Sequence, residues 1–348
     1  MFTTEKKIDP QTIKKILVIQ FRPFGDVLLA TSYLEAISHT LPQASIDFLV
    51  RKPFQDILYK NPWIAKVIAF EQHSGIRYIA DKLKLFCDIR NRQYDLIIDQ
   101  QSGTGSGQVV FFSNATYKLG WSKSKWRWCY NLKATKGPVR YRSSQNFDML
   151  QPLGISERPH RPFYHIKPES ITYARNWLDS HQMTADETII ISPGSPREKK
   201  KWRPENFSIL AEQIRLKTNM QVIILWGPKE HTDARRVLER SHPECHLAPP
   251  TDFNQAAAFL KHCRLLICND GGINHLSVAL GVPSLAIFGN TGPEKWSPEG
   301  FFPFHYHLFN SDREACLDNH FGITPQEALQ KVLSILAELA SSNISSIS

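Results

Sequence analysis

Short apolar runs alternate along the chain with segments in which apolar residues recur at helical spacing. Residues 15–21 form an apolar, β-branched run, and a helical pattern follows over residues 27–41. Residues 45–50, 65–70 and 94–101 are further predicted strands. Alternation of this kind is typical of a parallel sheet that is covered by helices.

The second half of the chain repeats this pattern. Residues 187–194, 220–227, 264–270 and 283–290 are predicted strands, and helical segments separate them. A chain of 348 residues is also long for a single hydrophobic core. The predicted fold class is therefore α/β, with two doubly wound Rossmann-like domains and an interdomain cleft.

The boundary between the two domains is expected in a proline-rich stretch without periodicity, residues 150–170. This gives an N-terminal domain over residues 1–160 and a C-terminal domain over residues 161–348. Near the C-terminus, Thr324 and Glu327 have the spacing of a capping box. A terminal amphipathic helix is expected to begin there.

Composition and charge narrow the class of protein. Hydrophobic residues make up 42% and charged residues 22%, which is ordinary for a folded globular chain. The polar N-terminus and the lack of any run near the roughly 20 apolar residues of a membrane span predict a cytoplasmic protein. The six cysteines lie far apart, so no metal site is expected. The net charge of +9 favours a polyanionic partner, either nucleic acid, phospholipid or a phosphorylated glycan.

The richest candidate chemistry lies in "NDGGINHLSVALGVPSLAIFGNTGPE", residues 269–294. Gly271 and Gly272 follow a predicted strand and open a predicted helix, so their backbone N–H groups can approach an oxygen-rich ligand closely. The turn after the next strand adds further amides and the hydroxyl group of Thr291. A diphosphate fits these groups.

Two side chains of this motif have more than one interpretation. Asp270 would repel a phosphate, so it either binds sugar hydroxyl groups, orients His275, or caps the following helix. His275 either contacts the diphosphate or is a packed, hydrogen-bonded residue of the helix.

Charged residues also follow two other predicted strands of the C-terminal domain. Lys200 lies in the basic stretch "SPREKKKWRPENF", residues 195–207, which is either a phosphate contact or a solvated charge run. Trp202 within the stretch favours a site. Glu230 lies in the first turn of a predicted helix. A carboxylate at this position complements the helix dipole, and that role alone could explain it.

In the N-terminal domain, Asp26 opens the first predicted helix, directly after the first strand. Its carboxylate is therefore expected at the ligand-facing edge of the sheet, which makes it the candidate general base.

A basic and aromatic segment covers residues 118–142, with eight Lys and Arg and no acidic residue. It suits base stacking on nucleic acid, contact with lipid headgroups, or core packing of its tryptophans. Together with Arg22, the residues assigned to this acceptor or membrane patch are Lys123, Lys125, Trp126 and Arg127.

Other ligand-binding and catalytic motifs are weak or missing. Gly103, Gly105 and Gly107 alternate and do not form G-x-G-x-x-G. The sequence also lacks the phosphate loop, the H-E-x-x-H zinc helix and the G-x-S-x-G nucleophile elbow.

The segments "GDVLLAT", "YDLIIDQQ", "KKWRPENF" and "NDGGINHLSVALGVPSLAIFGNTGPEKWSP" together resemble the lipopolysaccharide heptosyltransferase family, glycosyltransferases of GT-B architecture. The resemblance implies an inverting, metal-independent transferase that needs no cofactor besides its nucleotide-sugar donor. It implies ADP-heptose as donor and, as acceptor, the anionic, lipid-linked inner core of lipopolysaccharide at the cytoplasmic membrane face. Peripheral contact with the inner membrane is then expected.

The resemblance also implies a role for each motif residue. Asp26 is the base for the acceptor hydroxyl group, Lys200 and Glu230 contact the phosphate and ribose region of the donor, and Asp270 holds the heptose. The diphosphate is lined by Gly271, Gly272, His275 and Thr291.

Two other functions fit the residues less fully. One is a glycosyltransferase or epimerase that uses a UDP- or GDP-sugar. The other is a nucleic-acid-binding protein, which the basic net charge favours. Because the strand and turn motifs favour a nucleotide sugar, no nucleic-acid partner is expected.

Overall fold

The computed structural model describes residues 8–156, 160–289, 291–312 and 320–345. The chain divides into two compact units, Met1–His165 and Ile166–Ser348. Residues 157–159 of the predicted linker and Asn290 of the glycine-rich motif lie outside the described residues.

The first unit is built on one parallel sheet with helices between its strands. Its described strands are β1 (Lys15–Gln20), β2 (Ser45–Arg51), β3 (Lys66–Phe70), β4 (Leu96–Asp99), β5 (Tyr117–Trp121) and β6 (Leu132–Ala134). Its described α-helices are α1 (Phe24–Ala30), α2 (Leu34–Thr40), α3 (Ile76–Asn91), α4 (Thr104–Phe112) and α5 (Arg142–Asn146). The strand order is β3-β2-β1-β4-β5-β6.

The helix predicted after the first strand is divided into α1 and α2. A 3₁₀ turn, Thr31–Tyr33, separates them. The Thr31 hydroxyl group donates to the Leu28 carbonyl oxygen at 2.7 Å and accepts from the Phe163 amide at 2.7 Å. A β-branched side chain that bonds nearby backbone in this way competes with regular helical pairing.

The second unit repeats the design. Its described strands are β7 (Thr188–Ser192), β8 (Gln221–Ile224), β9 (Cys245–Leu247), β10 (Leu265–Asn269), β11 (Ser284–Phe288) and β12 (His305–Phe309). Its described α-helices are α6 (Pro168–Ser180), α7 (Pro204–Lys217), α8 (His231–Glu239), α9 (Phe253–Lys261), α10 (Gly272–Leu280) and α11 (Pro325–Ser345). The strand order is β12-β11-β10-β7-β8-β9, again with parallel pairing. The predicted fold class, two doubly wound α/β sheets, is confirmed.

Four strands, β5, β6, β9 and β12, were not predicted, and three of them, β6, β9 and β12, lie at the edge of a sheet. β6 and β9 are only three residues long, and β12 carries two histidines among its five residues. Such segments lack the apolar run that marks a central strand, because an edge strand is covered less completely.

The terminal helix α11 begins as the sequence predicts. The Thr324 amide donates to the Glu327 carboxylate at 2.7 Å, and the Glu327 amide donates to the Thr324 hydroxyl oxygen at 3.2 Å, which is a capping box. Leu329 and Val332 on α11 are fully buried in the core of the second unit. Among the described helices, none is both long and apolar enough to cross a lipid bilayer.

Candidate active site

Each parallel sheet has one position at which the order of its strands reverses, so that the strands on its two sides are added toward opposite edges of the sheet. In the first sheet this switch lies between β1 and β4, and in the second it lies between β7 and β10. Loops that leave neighbouring strands in opposite directions open a crevice at the carboxyl edge, which is where doubly wound proteins bind ligands. The candidate residues of both units follow these strands.

In the second unit, Lys200 and Asp270 meet at the switch point. Lys200 follows β7 and Asp270 follows β10, and the ammonium group of Lys200 donates a hydrogen bond to the carboxylate of Asp270. The side chain of Asp270 is only 4% exposed and that of Lys200 is 15% exposed. The carboxylate also accepts from the Thr291 hydroxyl group at 3.2 Å. Three residues of the sequence hypothesis therefore form one polar cluster.

The glycine pair lies beside this cluster, at the start of α10. Gly271 is the N-cap residue, with an extended backbone, and no side chain caps the helix there. The interpretation of Asp270 as a helix cap is therefore wrong, because its carboxylate pairs with Lys200 and Thr291. The N–H groups of the first turn of α10 carry the partial positive charge that binds anions.

His275 lies one turn into α10 and is buried. Its ring lies 5.9 Å from that of Trp296, at an interplanar angle of 40°. Burial lowers the pKa of His275 to about 4, and the charge of nearby Asp270 opposes that shift only in part. The imidazole is therefore neutral near pH 7, so it can offer a hydrogen bond to a ligand but no charge.

Glu230 closes the other side of the crevice, after β8. Its carboxylate accepts from the Gly227 amide at 2.9 Å, and burial raises its pKa. Gly194 after β7 comes so close that a Cβ atom there would lie 1.9 Å from Glu230 Oε2. Glu230 is the N-cap residue of α8 without a side-chain cap bond, so the carboxylate is directed at the turn after β8.

The basic stretch around Lys200 is not a solvated charge run as a whole. Lys199 is exposed, but Lys201 forms ion pairs with Asp233 at 2.7 Å and with Glu198 at 2.9 Å. The sequence suggested that Trp202 faces a binding site, but it does not. Its ring is fully buried in the core, and its indole N–H donates to the His320 and Ile323 carbonyl oxygens.

In the first unit, Asp26 lies in the first turn of α1, directly after β1. Its carboxylate is half-buried, and Arg22 Nη1 lies 3.6 Å from its Oδ1 atom. The side chain of Arg22 is 46% exposed. The pair therefore presents one base and one cation at the switch point of the first sheet.

Arg142 on α5 was not singled out from the sequence. It is buried, and its Nη1 atom donates to Gln145 Oε1 at 3.2 Å. Burial lowers the pKa of Arg142, the charge of Asp26 raises it, and the charge of Arg22 lowers it. Asn146 on the same helix donates to the Leu29 carbonyl oxygen of α1. A buried guanidinium close to the candidate base is suited to an anionic acceptor. Its signal was missed because "RYRSSQN" is polar and has no strand or helix pattern.

The basic and aromatic segment is neither all core nor all surface. Trp121 and Tyr130 are buried, whereas Lys123, Lys125 and Arg127 are exposed. At the carboxyl ends of β5 and β6 this segment encloses a cavity of about 270 Å³. Its lining includes the side chains Gln101, Ser102, Trp121, Ser122, Lys123 and Lys136.

Among the described residues, no three His, Cys, Asp or Glu side chains are grouped so that they could hold a metal ion.

The two sheets share one strand order, so the chain is a protein of two Rossmann-like units with candidate residues at the switch point of each. A model of glycosyltransferase family 9 (heptosyltransferase) matches residues 82–308, which is more than half of the chain. The chain belongs to glycosyltransferase family 9 and is a glycosyltransferase.

Individual relatives are distant but match over most of their length. Lipopolysaccharide heptosyltransferase 2 of Escherichia coli is 23% identical, over 93% of this chain and 99% of that protein. Lipooligosaccharide heptosyltransferase 2 of Haemophilus ducreyi is 25% identical, over 82% of this chain and 86% of that protein.

Solved structures agree with the fold. The family 9 glycosyltransferase of Veillonella parvula has a TM-score of 0.81 at 22% identity, over 93% of this chain and 97% of that one. The ADP-heptose lipopolysaccharide heptosyltransferase II of E. coli has a TM-score of 0.73 at 19% identity, over 93% of this chain and 99% of that one.

Proposed function

We propose that the protein transfers heptose from ADP-heptose to an anionic glycan of the lipopolysaccharide core, with inversion at the anomeric carbon and without a metal ion. The observation that carries the proposal is the cluster of Lys200, Asp270 and Thr291 beside the start of α10, in a chain of glycosyltransferase family 9. The names of the relatives, which are lipopolysaccharide and lipooligosaccharide heptosyltransferases, support this donor and acceptor.

The donor is assigned to the second unit. The diphosphate binds the N–H groups of Gly271 and Gly272, and the Lys200 ammonium group neutralises the leaving phosphate. Because these groups supply positive charge themselves, the departure of the diphosphate is stabilised without a metal ion. Asp270 accepts hydrogen bonds from heptose hydroxyl groups and Glu230 from the ribose.

Two further groups line the diphosphate in this proposal. The Thr291 hydroxyl group, which donates a hydrogen bond to Asp270, donates instead to a phosphate oxygen when the donor is present. The neutral ring of His275 offers a second hydrogen bond.

The acceptor is assigned to the first unit, where Asp26 acts as the base. The acceptor hydroxyl group gives its proton to the Asp26 carboxylate, and its oxygen forms a bond to the anomeric carbon of heptose. The bond from that carbon to the phosphate oxygen breaks on the opposite face, and ADP leaves with the electron pair. Arg22 and the buried Arg142 bind the acidic groups of the acceptor, which holds its hydroxyl group against Asp26.

The location of the reaction follows from the acceptor. A lipid-linked glycan lies at a membrane surface, so we propose a cytoplasmic protein in peripheral contact with the inner membrane. Lys123, Lys125, Trp126 and Arg127 belong to the contacting patch, because cations next to an aromatic ring suit lipid phosphates.

Isothermal titration of the purified protein with ADP, UDP and GDP, and with their common sugars, tests the proposal. Selective binding of ADP and ADP-heptose is expected, with loss of binding in Lys200→Ala and in Asp270→Ala. Lys199→Ala is the matched control, because this neighbouring lysine is exposed. Selective binding of a UDP- or GDP-sugar would mean that this nucleotide sugar is the donor. Conversion of the donor to an epimer in the absence of an acceptor would mean that the protein is an epimerase and not a transferase. Binding of no nucleotide would overturn the proposal.

A further inference from the structure

A row of apolar side chains, most of them exposed and two of them half-buried, lies on the surface of the first unit. Its aromatic side chains form a chain of neighbouring rings, with the following distances between ring centroids. Phe86 and Phe112 are stacked at 4.8 Å, and Phe112 and Phe111 are 4.9 Å apart. Phe111 and Trp128 are 5.2 Å apart, and Trp128 and Trp126 are 5.4 Å apart. With the aliphatic side chains of α3 these residues form what we call the apolar ridge: Ile76, Ile79, Leu83, Phe86, Phe111, Phe112, Trp126 and Trp128.

Helix α3 supplies the aliphatic part because it has two apolar faces. Leu85 and Ile89 on one face are buried in the core of the unit. Ile76, Ile79 and Leu83, spaced three and four residues apart, lie on the other face and are 87%, 60% and 58% exposed. The core needs only the first face, so the exposed one is free to meet another surface. A contiguous apolar patch of this kind marks an interaction site.

The ridge is held rigidly from below. Trp126 packs so closely over α4 that a Cβ atom on Gly107 would lie 2.5 Å from its ring. The preceding turn is fixed because the Ser124 hydroxyl group donates to the Ser102 carbonyl oxygen at 2.7 Å. Behind it, the buried Tyr130 hydroxyl group donates to Asp99 at 2.8 Å. A binding surface that is already ordered loses little conformational entropy when it binds.

The charge next to the tryptophans of the ridge is basic, and the two acidic residues of α3, Asp81 and Asp88, are paired with His73 and Arg92. Lys123, Lys125 and Arg127 are exposed next to its tryptophans, and Lys84 and Arg90 are exposed on α3. Residues 108–142, which supply the aromatic end, contain no Asp or Glu. The ridge therefore complements a surface that is both anionic and able to accept apolar side chains.

We propose that the apolar ridge docks on an anionic lipid bilayer, with its rings and aliphatic side chains at the boundary between headgroups and acyl chains. The flanking lysines and arginines contact lipid phosphates. The inference rests on the proposed function only in that a lipid-linked acceptor makes a bilayer the relevant surface. It adds the residues that insert, most of which lie outside the patch assigned from the sequence.

Two other partners fit the ridge less well. Nucleic acid would use open ring faces, but the rings here stack on or abut one another, and Ile76, Ile79 and Leu83 offer no stacking face. A second copy of the chain would bring two basic rims together, which like-charge repulsion opposes.

Flotation with vesicles tests the docking surface in the full chain. The wild-type protein should float with phosphatidylcholine vesicles that contain about one quarter phosphatidylglycerol, and less so with pure phosphatidylcholine or at high salt. In the triple variant Phe111→Ser, Phe112→Ser, Trp128→Ser, the vesicle-bound fraction should be lower than in the wild type by about tenfold or more. The control Ile209→Ser, Leu216→Ser replaces exposed apolar residues of α7 in the second unit and should bind as the wild type does.

Three results would overturn the inference. They are equal vesicle binding by wild type and triple variant, binding of a single-stranded oligonucleotide in place of vesicles, and concentration-dependent dimers in sedimentation that the triple variant abolishes. A circular dichroism melt shows whether the triple variant is folded, and Ile79→Ser with Leu83→Ser on α3 provides a second, independent removal of apolar surface. Vesicle binding does not depend on a donor, so a failed nucleotide titration would refute the proposed function and leave this result standing.

Discussion

The ammonium group of Lys200 donates a hydrogen bond to the carboxylate of Asp270, although the two residues lie 70 positions apart in the sequence. They meet because β7 and β10 are parallel neighbours, and each residue belongs to the loop that leaves its strand. The pair sits beside the N-terminal turn of α10, so a diphosphate bound there would share the Lys200 ammonium group with Asp270. Donor binding and local stability are thus expected to depend on the same two side chains.

Lys200→Met and Asp270→Asn should each lower the free energy of unfolding by about 2 to 4 kcal/mol, because each leaves a largely buried partner without its counter-charge. The double variant should lose less than the sum of the single losses, by about 1 kcal/mol or more. Urea denaturation of the four proteins measures this coupling. Additive losses would mean that the two groups do not interact in solution.

Gly271→Ala separates a ligand effect from a folding effect. The backbone of Gly271 is extended, and a Cβ atom there would meet nothing closer than the Asn269 carbonyl oxygen at 3.8 Å. Stability should therefore change by less than about 1 kcal/mol. ADP affinity should fall by about tenfold, because the methyl group occupies space that a phosphate needs beside the backbone N–H groups.

Gly194→Ala is the matched contrast to Gly271→Ala. Its Cβ atom would lie 1.9 Å from Glu230 Oε2, so the flexible Glu230 carboxylate must leave the Gly227 amide. Titration calorimetry with ADP, together with thermal unfolding, checks both variants. Undiminished ADP affinity in Gly271→Ala would remove the start of α10 from the diphosphate site.

Asp26→Asn should lower kcat by about 10² to 10⁴ with little change in ADP affinity, since the amide cannot accept the acceptor proton. Asp88→Asn is the matched control, because Asp88 is also a partly exposed helical carboxylate with an arginine four residues away. Single-turnover transfer from ADP-heptose measures the effect. Wild-type turnover in Asp26→Asn would exclude Asp26 as the base.

His275 should make stability depend on pH. Burial lowers its pKa in the folded protein from 6.5 to about 4, so the unfolded chain binds the proton more readily. The stabilisation is fully present above pH 6.5 and is lost as the pH falls toward 4. Between pH 7 and 5 the wild type should lose about 2 kcal/mol more than His275→Gln. Urea midpoints at both values of pH provide the measurement, and equal losses would mean that the ring is already protonated or exposed in the folded state.

Much of the site could be located from the sequence because parallel sheets bring the ends of their strands to one edge. The apolar runs at residues 187–194, 264–270 and 283–290 became β7, β10 and β11, and the residues after each one face the same crevice. The periodicity of these runs is local information, so it survives without any knowledge of the tertiary fold. Short or polar edge strands such as β9 and β12 were missed for the same reason.

The sequence by itself determined the two doubly wound units, the glycine turn at α10, and the position of Asp26 after the first strand. Only the tertiary structure decided which of five neighbouring cations pairs with Asp270, that Trp202 belongs to the core, and that Arg142 is buried near Asp26. It also decided that α3 turns a second apolar face to solvent. Pairing and burial depend on contacts between residues that are distant in the sequence, and no local pattern of hydrophobic and polar positions encodes them.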